Sequence, residues 1–315
     1  MKTFVIYGIN TVAGANIACA LGDRAHVVGI ASANAPELTG IQILEEEGAE
    51  PVRLLADRNP DYVIDASCCG DSPWNPQAEL AAEDQCAASL KRADACAELN
   101  LPFALLSSDA VLTGPWMFHE EDSSNHCSSV LGQRLLKLES RILETCARSL
   151  VVRTHPFGWS PASGQETPGW IEHLLERARA GKPCSELCQP GNATPLLASE
   201  LAVILERACA EQLTGLYHVA GAERVNRLQF ARRLTAFLGI NQFRTPLLEG
   251  HFSQAERKNF ACGEMSLQTR KVRRALCLAM PTLSESLEQL DRQRVNGFLD
   301  KLATGNRRGQ FSRAA

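Results

Sequence analysis

The amino-acid sequence predicts an α/β fold, a doubly wound parallel sheet of the Rossmann type with a smaller C-terminal substrate lobe. Apolar segments of strand length alternate with helical segments over roughly the first 160 residues. Each of these strands is apolar along its whole length, as in a parallel sheet that helices cover on both faces. A glycine-containing turn between the first strand and the first helix is typical of nucleotide-binding folds of this class.

The N-terminal elements are predicted in order. An apolar run over residues 3–8 ends at a glycine and predicts a strand, a helix follows over 13–21, and the next strand covers 25–31. A helical pattern over 49–58 ends at Asn59-Pro60, because proline cannot continue a helix. Apolar runs and Ala- or Leu-rich helical patterns then predict a strand over 61–67, a helix over 78–99, a strand over 102–107, a helix over 130–147 and a strand over 149–153.

The character of the chain changes after Gly158, where helices alternate with loops rich in Gly, Pro and Asn. We predict a dinucleotide-binding domain over residues 1–160, a strand near 215–221 that returns to its sheet, and a mainly substrate-binding lobe over 161–302. The polar, basic stretch 303–315 lacks periodicity and is predicted to be a disordered tail. Helices of the lobe are predicted over residues 168–180, 198–211, 227–238 and 283–290.

Composition and charge exclude several classes of function. With 45% hydrophobic and 22% charged residues among 315, the chain can bury a large core and is not expected to be disordered. The net charge of −4 gives no electrostatic reason to expect nucleic acid or an anionic membrane as a partner. No segment approaches the roughly 18 uninterrupted apolar residues of a membrane span.

The N-terminus and the cysteines predict a cytoplasmic protein. Residues 1–8 enter a strand at once and carry neither a long apolar segment nor a cleavage signature. The twelve cysteines are therefore expected to be reduced thiols instead of a disulfide framework.

The turn Gly8-Ile9-Asn10-Thr11-Val12-Ala13-Gly14 is the candidate dinucleotide site. In such a turn, backbone N–H groups and the positive end of the helix face a pyrophosphate. Thr11 stands where a central glycine lets the backbone approach the phosphate, so its Cβ is expected to crowd the pyrophosphate and weaken binding. Taken alone, the motif also fits the strand-turn-helix of any doubly wound fold.

Further cofactor contacts are predicted where the next strands end. The second strand closes with Ala31-Ser32-Ala33-Asn34, which has neither the acid that selects NAD nor the arginine that selects NADP. Ser32 or Asn34 could bond a ribose, but neither discriminates between the two cofactors. Ala66 and Ser67 close the following strand and complete the candidate cofactor contacts.

Ser108 lies in the segment Ser107–Gly114, directly after an apolar strand, where α/β folds bind ligands. A strand-ending turn capped by Asp109 explains the same residues equally well.

Other chemical motifs are weak. Cys184 and Cys188 have a spacing only marginally suited to zinc, no second pair accompanies them, and no metal is expected. His119, His126 and His155 are lone histidines in loops. Without a Gly-x-Ser-x-Gly elbow or a Walker loop, neither a hydrolase nor a P-loop protein is supported.

The ordered segments over residues 2–295 resemble the extended short-chain dehydrogenase/reductases, and among them the dTDP-4-dehydrorhamnose reductase (RmlD-like) family. Gly8–Gly14 matches the family fingerprint, Arg58–Ala66 resembles "RPDVVINAA", and Ser107–Gly114 resembles "STDYVFDG". Further matches in order are Glu120–Asp122 ("ExD"), Arg153-Thr154 ("LRT"), Gly191 with Thr194, Glu200–Ala202, Gly215–Gly221 ("GIYHLAG"), Phe230-Ala231 and Leu267–Lys271 ("LDTSK").

The resemblance implies NAD(P)H-dependent reduction of a keto group on a nucleotide-linked sugar by a Ser/Thr, Tyr and Lys triad. Ser108 matches the hydroxyl of that triad, whereas Leu131 and Leu135 occupy the Tyr and Lys positions. The three tyrosines are followed four residues later by threonine, alanine and glycine, so the chain contains no Tyr-x-x-x-Lys pair. A phenol transfers protons near neutral pH only beside a cation, and two leucines supply neither group.

Two hypotheses follow from this gap. We favour a catalytically degenerate protein that binds a nucleotide or sugar nucleotide, binds NAD or NADP only weakly, or regulates a protein partner, as some non-reductase relatives do; a homodimer stays open. The alternative is an active NAD(P)H-dependent reductase or epimerase in which His126 or His155 replaces the phenol. Lys137 is the nearest cation, but its two-residue offset is expected to point it away from the original face.

We also predict that Leu131 and Leu135 pack against apolar neighbours on the cleft side of their helix. They lie one helical turn apart and therefore share a face.

Overall fold

A seven-stranded parallel sheet forms the centre of the molecule. The computed structural model describes residues 1–31, 35–46, 50–78, 80–161, 169–240 and 253–302. The strands are β1 (Thr3–Tyr7), β2 (His26–Ala31), β3 (Gln42–Glu45), β4 (Tyr62–Asp65), β5 (Phe103–Ser108), β6 (Ser149–Thr154), β7 (Pro156–Phe157), β8 (Asn192–Ala193), β9 (Leu196–Leu197), β10 (Gly215–His218) and β11 (Val225–Asn226). The main sheet has the strand order β10-β6-β5-β4-β1-β2-β3, and two small pairs, β7 with β9 and β8 with β11, lie outside it.

Helices cover both faces of the sheet, which confirms the predicted fold class. The helices are α1 (Val12–Leu21), α2 (Pro51–Arg58), α3 (Glu83–Glu98), α4 (Val130–Thr145), α5 (Trp170–Arg179), α6 (Ala198–Ala210), α7 (Arg227–Phe237), α8 (Gln254–Arg257), α9 (Arg270–Leu276), α10 (Leu283–Gln293) and α11 (Phe298–Leu302). Alternate residues of β1 enter two apolar clusters: Phe4 and Ile6 join the side of α1 and α6, and Val5 and Tyr7 the side of α3 and α4. Within the described ranges, every helix is too short or too polar to cross a membrane.

Several boundaries differ from the prediction. β3 was not predicted, because its Gln-Ile-Leu-Glu sequence is half exposed at the sheet edge and has no continuous apolar run. α3 begins at Glu83 instead of residue 78. Its first turn contains Glu83 and Asp84, whose negative charges are favourable at the positive end of a helix. α6 lies beyond residue 160 and packs on α1, and β10 joins the main sheet as the predicted returning strand. The predicted tail 303–315 lies outside the described residues.

The delayed start of α3 leaves an irregular segment, residues 66–82, which we call the β4–α3 loop; Glu79 within it is not described. Ala81, near its end, is buried and has a φ of +52°, a left-handed conformation that is unfavourable for alanine. The loop begins at the carboxyl edge of the sheet, where α/β folds bind their ligands.

Trp74 of the β4–α3 loop joins the sheet to the C-terminal lobe. Its side chain is fully buried, and its ring centroid lies 4.4 Å from that of His155, 5.7 Å from that of Trp170 and 6.3 Å from that of Phe230. Trp170 on α5 stacks on Phe230 of α7 with centroids 5.0 Å apart. Because aromatic side chains bury large apolar areas, this cluster is a main contact between loop and lobe.

We expect Trp74→Ala to lower the free energy of unfolding by about 3–5 kcal/mol, the usual range for deleting a large buried aromatic side chain. Chemical denaturation followed by far-ultraviolet circular dichroism measures the change without relying on tryptophan fluorescence. Trp116→Ala is the matched control, because that side chain is 67% exposed. A Trp74→Ala effect no larger than that of the control would contradict the assigned role of the cluster.

Candidate functional site

The turn between β1 and α1 has the backbone shape expected of a dinucleotide-binding turn. Gly8 follows β1 with a φ of +75°, which glycine adopts without strain. A Cβ at Gly8 would lie 2.5 Å from the backbone N of Ser67, so glycine permits the close approach of the two strand ends. Ala66 is fully buried beside Ser67, Gly14 lies in the first turn of α1, and Asn10 is exposed at the turn. Ser32, also predicted as a cofactor contact, lies outside the described residues.

The first N–H groups of α1 are hydrogen bonded within the chain. Val12 N–H donates to the Asp71 carboxylate (N to Oδ1 3.2 Å), and Ala13 N–H donates to the carbonyl oxygen of Gly70 at 2.7 Å. A pyrophosphate bound at a helix N-terminus uses N–H groups of this kind. The β4–α3 loop therefore supplies its own anion at the place where the fingerprint predicts a phosphate.

Thr11 closes the turn between β1 and α1, and the predicted crowding of a pyrophosphate by its Cβ stays a prediction. Thr11 is the N-cap of α1: its hydroxyl donates to the carbonyl oxygen of Gly8 at 2.8 Å and accepts from Gly14 N–H at 3.1 Å. The loop also packs tightly here, since a Cβ at Gly70 would lie 2.0 Å from Thr11 Oγ1. The Thr11 side chain thus closes the turn on itself, and the loop covers it.

An ionic network occupies the ends of β3 and β4. Arg92 of α3 donates to Asp65 at 2.9 Å, to Ser67 Oγ at 2.8 Å and to Glu46 at 2.6 Å, with its guanidinium carbon 4.4 Å from the ring centroid of Tyr7. Burial opposes ionisation of Asp65, but Arg92 and hydrogen bonds from Ser67 outweigh it and lower the pKa of Asp65. Ser67 is therefore engaged with protein groups. The sequence signals for this network are an arginine in an Ala-rich helix and an aspartate at the end of an otherwise apolar strand.

The two leucines of α4 pack in an apolar cluster that also includes residues of the β4–α3 loop. Leu135 is fully buried, and Leu131 is partly buried against the same apolar cluster, which contains Cys69 and Ala81. Arg134 Nη1 donates to the carbonyl oxygen of Ala81 at 2.8 Å and fastens the loop to the helix. The predicted apolar packing of Leu131 and Leu135 is confirmed, whereas its position on the cleft side of the helix stays a prediction.

The other predicted catalytic groups are not brought together. Ser108 is 2% exposed and accepts a hydrogen bond from Ala110 N–H at 3.0 Å, so it caps the 3₁₀ turn Asp109–Val111. Lys137 and His126 are exposed and line a separate cleft along α4. The expectation that Lys137 points away from the original face is confirmed.

A buried chain of three polar groups crosses the carboxyl edge of the sheet. The Asp109 carboxylate lies 2.9 Å from His155 Nδ1, and His155 Nε2 lies 3.0 Å from Ser72 Oγ. Asp109 and His155 are fully buried and Ser72 is 4% exposed. Asp109 directly follows β5 and His155 directly follows β6. Polar residues at the ends of neighbouring strands are a sequence signal for such a contact, but Ser72 lies in a loop and has no such signal.

This serine–histidine–aspartate chain has the connectivity of a nucleophilic triad. However, Ser72 Oγ already accepts a hydrogen bond from Trp74 N–H at 3.2 Å, and the indole of Trp74 packs edge-on against His155. Ser72 is 4% exposed and His155 is fully buried, so a substrate could reach the hydroxyl only if the β4–α3 loop moved. The arrangement instead binds the β4–α3 loop to the ends of β5 and β6.

The observed arrangement does not fit a bound dinucleotide. Its pyrophosphate would compete with the Gly70 carbonyl for Ala13 N–H and would meet the Asp71 carboxylate at Val12 N–H. Two anions at one helix end repel each other. We therefore assign no step of a reaction to a nicotinamide cofactor.

Asp71 gives the site a pH dependence that can be measured. Burial raises the pKa of Asp71 to about 6, and the hydrogen bond from Val12 N–H offsets part of that rise. A carboxyl whose pKa is higher in the folded than in the unfolded state, where it is about 3.9, favours folding below the lower value and loses that contribution as pH rises through the higher one.

We expect Asp71→Asn, which keeps the acceptor and removes the charge, to gain stability relative to the unmodified protein between about pH 4 and pH 7. Thermal melting across this range tests it, with the exposed Asp57→Asn as control; equal pH slopes for both variants would contradict the expectation.

Comparisons with known proteins agree with the fold. The family described as RmlD substrate binding domain matches residues 1–294. A search of curated protein sequences finds no match.

Solved structures with the same fold include two reductases and a related enzyme. A dTDP-4-dehydrorhamnose reductase from Bacillus anthracis in complex with NADP has a TM-score of 0.69 at 14% identity, covering 93% of this chain and 99% of its own. A hypothetical dTDP-4-dehydrorhamnose reductase from Sulfolobus tokodaii has a TM-score of 0.67 at 20% identity, covering 90% and 97%. The Bordetella bronchiseptica enzyme WbmH in complex with NAD+ has a TM-score of 0.69 at 16% identity, covering 94% and 100%. The three likenesses establish the fold, and because the family match extends over residues 1–294, the chain belongs to the RmlD substrate binding domain family.

Proposed function

We propose that this chain is a catalytically degenerate relative of the dTDP-4-dehydrorhamnose reductases, which keeps their scaffold and acts by binding. One observation carries the proposal: Asp71 and Gly70 accept hydrogen bonds from the first N–H groups of α1. The structural neighbours from Bacillus anthracis and Bordetella bronchiseptica hold NADP and NAD+. In this chain, the equivalent helix end is bonded to the β4–α3 loop, and leucines fill the positions of the proton donor and its cation.

The ligand class we propose is a nucleotide or nucleotide-linked sugar. A neighbour with the same fold, UDP-N-acetylglucosamine 4-epimerase from Methanobrevibacter ruminantium, was solved with UDP-N-acetylmuramic acid. A regulatory complex with a protein partner, or a homodimer, is the second form that a binding function could take. All twelve cysteines are free thiols, which suits the cytoplasmic location that we propose.

An active reductase or epimerase is supported less well. His155 is fully buried and bonded on both ring nitrogens, while Lys137 and His126 lie together at a different cleft. In the described residues, the side-chain partner of Ser108 is the Asp109 carboxylate at 3.4 Å, and no lysine or arginine is hydrogen bonded to Ser108.

Direct titration tests the proposed loss of cofactor binding. We expect NADH and NADPH to bind the unmodified protein no more tightly than about 1 mM by isothermal calorimetry, a free energy of roughly −4 kcal/mol. Asp71→Ala removes the competing carboxylate, so NADPH affinity should rise at least about tenfold, or 1.4 kcal/mol.

The matched control for that titration is Asp57→Ala, which removes the same charge from an exposed site on α2. An equal gain in the control would point to net charge alone. Submicromolar NADPH binding by the unmodified protein would show that the β4–α3 loop yields to the cofactor and would overturn the proposal.

Restoring the two missing groups gives a separate prediction. The double change Leu131→Tyr with Leu135→Lys would place an ammonium in a fully buried apolar site, and we expect it to lower the free energy of unfolding by at least about 2 kcal/mol. It should show no oxidation of NADPH with a dTDP-4-keto sugar. Val130→Tyr, at a residue 74% exposed, is the control for stability. An unchanged melting temperature together with new reductase activity would mean that the cleft is open and only two groups were lost.

A further inference from the structure

A cluster of three metal-ligating side chains lies in the C-terminal lobe, outside the β1–α1 turn. His173 Nε2, Cys184 Sγ and a Glu186 carboxylate oxygen all lie within 4.8 Å of one another. Cys184 is fully buried, while the side chains of Glu186 and His173 are 14% and 26% exposed. The cluster therefore has a dry inner side and an open outer side.

The chain after α5 folds back to build this cluster. Gly181 has a φ of +61°, and Lys182 N–H donates to the carbonyl oxygen of Arg177 at 2.9 Å. The guanidinium of Arg177 in turn donates to the carbonyl oxygen of Pro183. The return leads into the 3₁₀ turn Ser185–Cys188, whose Leu187 is buried in the core of the lobe. The backbone thus sets Cys184 and Glu186 against His173 before any ligand arrives.

A hydrogen bond links His173 and Glu186 in the metal-free protein. His173 Nε2 lies 2.7 Å from Glu186 Oε1, and Cys184 Sγ lies within 4.8 Å of both side chains. The pair Cys184 and Cys188, whose spacing alone gave no reason to expect a metal, is not the set that the fold brings together. The fold instead selects Cys184 with a histidine eleven positions earlier and an acid two positions later.

We propose that His173, Cys184 and Glu186 bind one Zn²⁺ ion, with water in the fourth position. Nitrogen, sulfur and oxygen ligands of these types bind zinc at about 2.0–2.3 Å. His173 Nε2 and Glu186 Oε1 lie 2.7 Å apart, so they must separate by roughly 0.6 Å to bind the same tetrahedral ion, and Cys184 Sγ already lies within 4.8 Å of both. One thiolate and one carboxylate balance the charge of the ion, and the neutral imidazole adds none. On binding, the Cys184 thiol loses its proton to solvent, the S–Zn bond replaces the S–H bond, and no electron is transferred.

The consequence of binding would be to pin residues 181–188 to α5. The 3₁₀ turn also packs against α7. Zinc would therefore brace the C-terminal lobe, and this inference is independent of whether a nucleotide binds.

Cobalt spectroscopy on the full chain tests the site, because Co²⁺ takes the same ligands and reports them by colour. One equivalent of Co²⁺ added to the metal-stripped protein should give the near-ultraviolet charge-transfer band of a thiolate ligand and the visible bands of a tetrahedral site, and Zn²⁺ should erase both. Cys184→Ser should abolish the charge-transfer band. His173→Gln should weaken Zn²⁺ binding by more than the roughly 10–100-fold that loss of an outer-shell partner causes.

Cys277→Ser is the control, since Cys277 is an exposed thiol remote in sequence from the cluster. It should leave the band and the affinity unchanged, and circular dichroism should show that every variant is folded. Calorimetry in two buffers of different ionisation enthalpy should report about one proton released per Zn²⁺. Absence of the band in the unmodified protein, its survival in Cys184→Ser or its loss in Cys277→Ser would each overturn the proposal.

Discussion

The hydrogen bonds between the first turn of α1 and the β4–α3 loop organise the carboxyl edge of this sheet. A helix begins with N–H groups that have no partner inside the helix, and its end carries a partial positive charge. A protein either leaves these groups to a ligand or satisfies them itself. Here Asp71 and Gly70 satisfy them, and Thr11 satisfies the next one along.

The same loop holds three other parts of the structure in place. Cys69 and Ala81 belong to the same apolar cluster as Leu135 of α4, Ser72 is bonded to His155 beyond β6, and Trp74 enters the aromatic cluster of the lobe. To expose the helix end, the loop would have to give up all of these contacts together. A ligand that binds only the open form has its apparent affinity reduced by the fraction of molecules that are open. The β4–α3 loop thus contributes Asp71 to the N-terminus of α1 and Cys69 and Ala81 to the apolar cluster of Leu135.

The fold was predictable because its signals are local. Apolar runs and helical periodicity in stretches of a few residues predict a covered parallel sheet, and the glycines of the first turn occupy the positions that their spacing indicated. β3 escaped because a half-exposed edge strand has no apolar run.

The state of the site was less predictable because it depends on contacts between distant residues. The sequence identified Gly8, Thr11, Ser108 and Leu135 as positions at the site, but not what each of them touches. The contact of Val12 with Asp71 spans 59 residues, and that of His155 with Ser72 spans 83. No local sequence pattern near these residues predicts either contact. The residue types nevertheless fit them once the chain is folded: an acid at a helix N-terminus, and a histidine between a carboxylate and a hydroxyl.

Amide hydrogen exchange at Val12 and Ala13 tests the central claim most directly, since it reads the helix end itself. If the β4–α3 loop closes this end, both amides should be protected in the free protein, and a large excess of NADPH should leave their exchange rates unchanged. Rapid exchange in the free protein that becomes slow on adding NADPH would contradict the account, because it would show N–H groups left open for a cofactor.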